Sequence, residues 1–418
     1  MDDRWLIIAD DLTGAADTAI AFAKRRLPAH VAWSEADVTG RPREAVLAID
    51  ADSRRLPGAA AARRHREILE RLFEPGTRVI KKMDSTLRGH PAEEIAALTE
   101  VLTARDRRPR VIFAPAFPAG GRVTRAGRVW VHGIPLEHTE FWDAHRPAQR
   151  ADLPALLAAA GMDARLIPLD EVRGAPQRLR AAFDDACAAA LVCVCDAEAG
   201  EDLDLIAAAA LDDTPSLFVG SAGLAHSLAS RATRTGVTRM DAITVGPSAR
   251  GALLIVGSQA GPSRTALPAL ASVAGVRRVS VVAADLLAGR AEESLRIPEL
   301  ARELAAGTDL LVDVAPPAAG HAIEPDVVDA LVRCLRPLAA SASAWMATGG
   351  DTARAVLSHG GARGIRLVDE IEPGTSLGLT LGGVSLPVIT KSGGFGDAGS
   401  LRRILERLRS IRKTGTVA

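Results

Sequence analysis

Short apolar runs alternate with amphipathic segments along the first half of the chain. The apolar runs predict strands near residues 5–9, 31–33, 45–49, 78–82, 110–114, 191–195 and 217–220. The segments between them predict helices near residues 14–25, 58–73, 91–104, 152–160, 176–188, 200–211 and 222–231. Alternation of this kind is typical of βαβ units, which form a parallel sheet with right-handed crossovers.

The same alternation returns in the second half, after a break. Strands are predicted near 252–256, 278–282, 310–314, 344–347, 365–368, 377–380 and 387–390, with helices near 262–273, 298–306, 324–340, 351–358 and 397–412. Residues 233–250 lack periodicity and contain Gly and Pro, which is typical of a linker. The sequence therefore predicts an α/β protein with two domains, residues 1–232 and 251–418, each with a mainly parallel sheet flanked by helices.

One segment of the first half interrupts the rhythm. Residues 115–150 are rich in Gly, Pro, His and Arg, and they include the apolar run 129–131. This run predicts a strand in a hairpin or flap, because long irregular segments inside compact domains often form lids or binding loops.

Composition excludes several classes of partner. Lys+Arg and Asp+Glu both number 51, so the net charge gives no reason to expect nucleic acid or a membrane surface as a partner. Aromatic residues make up 3% and tyrosine is absent, which argues against platforms that stack bases. The chain has no apolar run of about 20 residues and begins without a signal-peptide pattern, so a cytoplasmic location is expected.

The first candidate for chemistry follows the first strand. Leu6–Ala9 is wholly apolar, and Asp10 and Asp11 come directly after it. Thr13 is predicted as the N-cap of the next helix, with Asp17 in its first turn. Ligands of open α/β sheets bind just outside the carboxyl ends of strands, so the two carboxylates are candidate site residues. The alternative is that one of them caps the helix and the other is solvated.

Two further strand ends bear charged and hydroxyl groups. Residues 50–55 follow one strand, and Arg54 could hold a carboxylate there in bidentate fashion. Residues 81–91 follow another strand and combine cations, a carboxylate and hydroxyl groups, which indicates an anion site; a loop of internal salt bridges is the alternative. A small polyhydroxy acid fits this mixture, because carboxylates can accept hydrogen bonds from its hydroxyl groups and cations can bind its acid group. The residues concerned are the carboxylates Asp10, Asp11 and Asp84 and the cations Arg54, Lys82 and Arg88.

Three glycine-rich turns follow separate strands of the second half, at residues 256–263, 348–353 and 392–397. Glycine lets the backbone approach a phosphate group, and the N-terminus of a helix supplies N–H groups and a favourable dipole. Together the turns predict a nucleotide site. They match neither the P-loop pattern nor the dinucleotide fingerprint GxGxxG.

The sequence resembles the four-carbon acid sugar kinase family. The motifs of the resemblance occur in the family's order, at residues 9–15, 82–89, 349–352 and 391–396. The resemblance implies an N-terminal sugar-acid-binding domain and a C-terminal nucleotide-binding domain. It also implies ATP-dependent phosphorylation of D-threonate, L-threonate, D-erythronate or 3-oxo-tetronate at the terminal 4-hydroxyl group, with Mg²⁺ as cofactor.

Matching positions give the expected contacts. For the acid these are Asp10, Arg54, Lys82, Met83, Asp84 and Ser85, to which Arg88 is added as a further cation. For the nucleotide they are Ser258, Gly349, Gly350, Asp351, Thr352 and Gly396. The chain departs from the family pattern at three positions, namely His90, Gln259 and Ala260. At the last two, in the Ser258 turn, the family usually has a small residue and a second serine.

The catalytic carboxylate is expected among Asp10, Asp84 and Asp351, while the sequence leaves open which of them, or Asp397, is the base or a Mg²⁺ ligand. The active site is expected in the cleft between the domains, and a homodimer is a further expectation. Two alternatives of other classes stay open. One is an oxidoreductase or aldolase that uses the same acid pocket, and the other is a non-catalytic sensor of a sugar acid and a nucleotide.

Overall fold

The computed structural model describes residues 4–34, 46–105, 108–142, 151–232, 243–291, 295–315 and 325–417. The chain divides into two compact units, Met1–Val237 and Thr238–Ala418. Each unit has a mainly parallel sheet with helices, which confirms the predicted α/β class. The domain boundaries stay a prediction, since residues 233–242 lie outside the described residues. Among the described residues, no helix combines the length and apolar character needed to cross a membrane.

The first unit is built on one parallel sheet. Its strands are β1 (Arg4–Ala9), β2 (Ala29–Ala32), β3 (Val46–Asp50), β4 (Thr77–Lys82), β5 (Arg110–Ala114), β9 (Ala164–Ile167), β10 (Val192–Cys195) and β11 (Ser216–Gly220). Their order in the sheet is β2-β3-β1-β4-β11-β5-β10-β9, and described neighbours pair in parallel. Strand β1 is therefore flanked by β3 and β4, and its apolar side chains are buried on both faces.

The helices of this unit are α1 (Leu12–Ala23), α2 (Gly58–Leu72), α3 (Pro91–Arg105), α4 (Leu153–Ala158), α5 (Leu169–Val172), α6 (Pro176–Ala188), α7 (Gly200–Ala210) and α8 (Ala222–Arg231). The predicted hairpin is confirmed as a small antiparallel sheet of β6 (Arg122–Arg125), β7 (Arg128–Val131) and β8 (Ile134–Pro135). Strand β9 and helix α5 were not predicted; β9 has no wholly apolar run and is only partly buried, and α5 is a single turn of four residues.

The start of α1 differs from the prediction, and Thr13 is not its N-cap. Asp11 is the N-cap: its backbone is extended, and its Oδ1 accepts a hydrogen bond of 2.8 Å from the N–H of Gly14. Thr13 lies in the first turn and donates its hydroxyl to Asp11 Oδ2 at 2.9 Å. A carboxylate directly after the strand can reach the free N–H groups of the first turn, so the helix begins at Leu12.

The second unit has a mixed sheet. Its strands are β12 (Ala252–Val256), β13 (Val276–Val281), β14 (Asp309–Val314), β15 (Ala344–Thr348), β16 (Ala362–Glu372), β17 (Thr375–Gly382) and β18 (Pro387–Lys391). The order is β13-β14-β12-β15-β18-β17-β16. Pairing is parallel from β13 to β18, whereas β17 runs antiparallel to both β18 and β16.

The helices of the second unit are α9 (Gly261–Thr265), α10 (Leu267–Ala271), α11 (Ala283–Leu287), α12 (Ile297–Ala305), α13 (Pro325–Ala339), α14 (Gly350–His359) and α15 (Ser400–Thr414). The single helix predicted over 262–273 is wrong, because the chain forms two short helices there. Pro268 lies in the first turn of α10, and a proline has no N–H to continue the ladder of α9.

Candidate functional site

The predicted strand ends of the first unit lie side by side. In the register of the sheet, Ala9 of β1 is opposite both Asp50 of β3 and Lys82 of β4. The segments that follow β1, β3 and β4 therefore begin at the same edge. This brings Asp10 and Asp11 next to the segments that contain Arg54 and Asp84.

Arg54 joins the three segments. Its Nε donates to Asp10 Oδ2 at 2.7 Å and its Nη1 to Asp11 Oδ2 at 2.8 Å. Its Nη2 lies 3.8 Å from Asp84 Oδ1. The guanidinium was predicted to hold a ligand carboxylate, yet it already holds two carboxylates of the protein. Its contact with a ligand stays a prediction. Nη2 is the guanidinium nitrogen that makes no hydrogen bond to the described residues.

Asp10 has an unused acceptor. The residue is buried, and its Oδ1 has no hydrogen-bond partner among the described residues, whereas Oδ2 is held by Arg54. Burial alone would raise the pKa of Asp10, but the charges of Arg54, Lys81 and Lys82 outweigh it and lower the pKa below its usual value. The carboxylate is thus ionised and can only accept hydrogen bonds. Asp11 caps α1, so Asp10 is the one of the pair with an oxygen available to a ligand.

The loop after β4 is organised around Asp84. Arg88 grips this carboxylate with two hydrogen bonds of 2.8 Å, from Nε to Oδ2 and from Nη2 to Oδ1. The hydroxyl of Thr86 donates to Oδ2 as well. Burial raises the pKa of Asp84, but the charges of Arg88 and Arg54 and these hydrogen bonds hold it well below its usual value. The loop therefore contains an internal salt bridge, Asp84–Arg88, as the alternative prediction had it, and Asp84 also lies close to Arg54.

Lys82 lies at the N-terminus of α1. Its Nζ donates to the carbonyl oxygen of Met83 at 2.7 Å. A Cβ added at Gly14 would lie 3.1 Å from this Nζ and 2.5 Å from Asp11 Oδ1, so a larger residue there would displace both groups. Ser85 is buried in the same loop, and the side chain of Met83 packs in the core. Any contact of Met83 with a ligand would thus use its backbone.

Sequence reasoning missed a buried polar cluster behind these residues. It consists of Ser53, His65, Lys81 and Glu94, which are at most 1% exposed. Glu94 lies in the first turn of α3, where an acidic residue usually serves the helix dipole. Lys81 could have indicated this cluster from the sequence, because a lysine inside a buried strand needs a counter-charge.

In the second unit, the predicted turns follow β12, β15 and β18, which are neighbours in the sheet. Hydrogen bonds join them: Ser258 N to Thr348 Oγ1 at 3.4 Å, Gly349 N to the Lys391 carbonyl at 2.8 Å, and Ser263 Oγ to the Gly393 carbonyl at 3.1 Å. The three glycine-rich turns therefore form one continuous edge.

Glycine is required where these turns touch. A Cβ at Gly393 would lie 2.1 Å from Ser258 Oγ, and a Cβ at Gly257 would lie 2.1 Å from Thr352 Oγ1. Gly349 is the N-cap of α14 with a φ of 88°, and Gly396 has a φ of 92°. Gly350, Asp351 and Thr352 form the first turn of α14, and the N-terminus of a helix favours an anion through its N–H groups and dipole.

Lys391 organises the third turn. It is fully buried, and its Nζ donates to the carbonyl oxygens of Ser392 and Phe395. Burial lowers the pKa of Lys391 to about 8, although the nearby carboxylates of Glu372 and Asp397 act in the opposite direction. Asp397 itself is bound by Arg403 and by the N–H of Gly399. Within the described part of the chain, no group of three or more His, Cys, Asp or Glu residues could hold a metal ion.

Comparison with known proteins gives two domain matches. Residues 5–228 match a sugar-binding N-terminal domain, and residues 253–401 match a nucleotide-binding C-terminal domain. The chain is 38% identical to a D-threonate kinase of Cupriavidus necator, over 95% of this chain and 96% of the relative. It is 34% identical to a D-threonate kinase of Bordetella bronchiseptica, over 98% of each chain.

Among solved structures, the fold is similar to that of a protein of Salmonella typhimurium described as a putative tRNA synthase. The TM-score is 0.77 at 22% identity, over 96% of this chain and 98% of the other. At this identity the likeness concerns the fold alone.

Proposed function

We propose that this chain is an ATP-dependent D-threonate kinase. The chain belongs to the four-carbon acid sugar kinase family and has its sugar-binding and nucleotide-binding domains. It transfers the γ-phosphoryl group of ATP to the terminal 4-hydroxyl group of the acid. D-Threonate is favoured over L-threonate, D-erythronate and 3-oxo-tetronate, because two full-length relatives bear its name.

The observation that best supports this function is the balance of charge at the carboxyl ends of β1, β3 and β4. Asp10 offers a buried acceptor without a partner among the described residues. The ammonium group of Lys82 donates one hydrogen bond to a carbonyl and has capacity for more. A ligand with both a carboxylate and hydroxyl groups satisfies both: Lys82, with Arg54, holds the carboxylate, and Asp10 accepts from a hydroxyl.

Positioning is the main task of this site. Phosphoryl transfer passes through a loose transition state and depends on alignment and charge stabilisation more than on a strong base. Asp84 is bound by Arg88 and Thr86 and has a pKa well below its usual value, so it holds the loop rather than accepting a proton. Asp10 is the better candidate to orient the acid, and Asp351 stays a candidate on the nucleotide side.

The glycine-rich edge of the second unit is the proposed nucleotide site. The N–H groups of the first turn of α14 and the turns at Ser258 and Gly396 would contact the phosphates. Mg²⁺ is commonly held by one or two carboxylates together with phosphate oxygens, and Asp351, in the first turn of α14, is the proposed protein ligand. The ion would neutralise charge on the phosphates. An interdomain cleft, a homodimer and a cytoplasmic location stay predictions.

The test is a coupled ADP-release assay over a panel of the four acids, with and without Mg²⁺. We expect turnover with D-threonate that needs Mg²⁺ and exceeds the ATPase activity without acid. Faster turnover of 3-oxo-tetronate than of D-threonate would change the assigned substrate, while the assignment as a kinase would stand. Ligand-induced thermal stabilisation without ADP release would indicate a sensor, and conversion of the acid without ATP would indicate an oxidoreductase or aldolase.

A further inference from the structure

Glu94 makes two buried hydrogen bonds to two different segments of the sugar-acid site. Its Oε1 accepts from the hydroxyl of Ser53 at 2.6 Å. Its Oε2 lies 2.7 Å from the Nζ of Lys81. All three side chains are at most 1% exposed. One carboxylate of α3 is therefore bonded both to the segment after β3 and to strand β4.

Each of these partners is adjacent in sequence to a cation expected to bind the acid. Ser53 precedes Arg54, and Lys81 precedes Lys82. Side chains alternate between the faces of a strand, so Lys81 points towards α3 while Lys82 points towards Gly14 of α1. Glu94 thus acts on the opposite face of the sheet from the ammonium group of Lys82.

The backbone around Asp10 depends on the same segments. The N–H groups of Ser53 and Arg54 lie 3.1 and 3.3 Å from the carbonyl oxygen of Asp10. Lys81 also donates to the carbonyl oxygen of Lys82 at 2.7 Å. The bonds of Glu94 therefore brace both strand ends that flank β1, at the residues where each chain leaves the sheet.

The charges of the cluster balance mainly within it, although Asp10 of the site also interacts electrostatically with Lys81 and Glu94. Burial lowers the pKa of His65 to about 4, so this ring is neutral near pH 7. Burial raises the pKa of Glu94, but His65 and Lys81 lower it below its usual value. Glu94 and Lys81 are consequently a buried ion pair, and the loss of either charge would leave the other without its partner.

We propose that Glu94 is a positioning residue of the sugar-acid site, which holds Arg54 through Ser53 and Lys82 through Lys81. This inference rests on the proposed function, because it assumes that Arg54 and Lys82 bind the acid. It adds that the distance between the two cations is set by one carboxylate outside the site. A small movement of either cation is expected to weaken acid binding strongly, since a misplacement of about 1 Å can cost a hundredfold.

The test compares Glu94→Gln and Ser53→Ala with the wild type. Binding of D-threonate without ATP is measured by calorimetry, and KM values for acid and ATP are measured in the ADP-release assay. We expect the Kd and KM of the acid to rise about tenfold or more in both variants, while the KM of ATP changes less than twofold. In the double variant the two effects should sum to less than the single effects together, because part of the effect of Glu94 passes through Ser53.

Asp202→Asn is the matched control. Asp202 is also a buried carboxylate of the first unit, held by Arg173 and by the N–H groups of Glu198 and Ala199, and it contacts neither cation segment. We expect this variant to lower the melting temperature without changing acid affinity. If Glu94 has only a structural role, affinity will follow the melting temperature in all variants alike, and the proposal fails.

A second measurement needs no ligand. Arg54 and Arg55 are trypsin sites in the segment that Ser53 holds, and Arg55 is exposed. We expect cleavage there to be several-fold faster in Glu94→Gln and Ser53→Ala than in Asp202→Asn, relative to cleavage elsewhere in the same chain. Equal cleavage ratios in these variants would overturn the bracing of this segment.

The outcomes separate the two proposals. A wild type that binds no acid of the panel overturns both of them. An active wild type with an unchanged acid Kd in Glu94→Gln overturns the positioning role alone. A wild type that binds the acid but releases no ADP overturns the kinase, and the Kd of the variants still decides the role of Glu94.

Discussion

Arg54 and Asp10 form an ion pair of 2.7 Å between the segment after β3 and the end of β1. The pair leaves Asp10 Oδ1 without a hydrogen bond in the described part of the chain. The same guanidinium donates to Asp11, the N-cap of α1. One planar cation therefore fixes the carboxylate proposed to bind the substrate and the one that begins the helix.

Replacing Arg54 by lysine tests this geometry. Lysine keeps the charge, but a single ammonium group does not reproduce the fork that reaches Asp10 and Asp11 together. We expect kcat/KM for D-threonate to fall by about a hundredfold, as measured by coupled ADP release. Arg55→Lys, at the exposed neighbouring position, serves as the control and should be close to wild type. An Arg54→Lys enzyme within threefold of wild type would contradict the assignment.

Acid titration tests the pair of Asp84 and Arg88. The pKa of Asp84 is depressed in the folded state, so its contribution to stability is present above its unfolded value near 3.8 and is lost as the pH falls through the lower, folded value. Asp84→Asn should lower stability by about 2 kcal/mol at neutral pH. The difference in melting temperature between the wild type and Asp84→Asn should become smaller below about pH 4. Asp213→Asn, at an exposed position, should show little gap at any pH.

Lys391 gives a prediction in the alkaline range. Burial lowers its pKa from 10.5 to about 8, so between these values the unfolded chain binds more protons than the folded one. Stability should therefore gain from this group as the pH rises from 8 to 10.5, by at most about 1.4 kcal/mol per unit. Lys391→Met should remove this gain in denaturant titrations, whereas Lys413→Met, at an exposed position, should retain it. Parallel pH profiles of wild type and Lys391→Met would refute the prediction.

Gly393→Ala tests the contact between the nucleotide turns. The added methyl group would lie 2.1 Å from Ser258 Oγ, so one of the two turns must move. We expect the KM of ATP to rise about tenfold or more, with the KM of the acid unchanged, since backbone approach to phosphate depends on these glycines. Gly200→Ala is the control, because a methyl group there meets open space. An increase confined to the KM of the acid would refute the assignment of this edge to the nucleotide.

Much of the fold could be predicted, because apolar periodicity identifies elements directly. The run Leu6–Ala9 and strands β5 and β12 were predicted almost to the residue. Periodicity does not say which strands are neighbours. The position of β1 between β3 and β4, and the antiparallel β17, depend on long-range pairing that no local pattern encodes.

The site was predictable in its charged residues but not in their bonds. Asp10, Arg54 and Asp84 could be chosen because each follows a strand. That Arg54 would hold Asp10 and Asp11, and that Asp11 rather than Thr13 would cap α1, follows from side-chain geometry. Glu94 was missed because an acid in the first turn of a helix has an ordinary explanation in the dipole.

The adjacent lysines of β4 differ in environment although they are identical in sequence. Lys81 is paired with Glu94 on one face of the sheet, and Lys82 lies beside Gly14 on the other. The two are therefore not redundant, and neither can replace the other. When this chain is aligned with relatives, a gap shifted by one position would exchange the buried partner of Glu94 for the cation proposed to bind the acid, while the residue letters still matched.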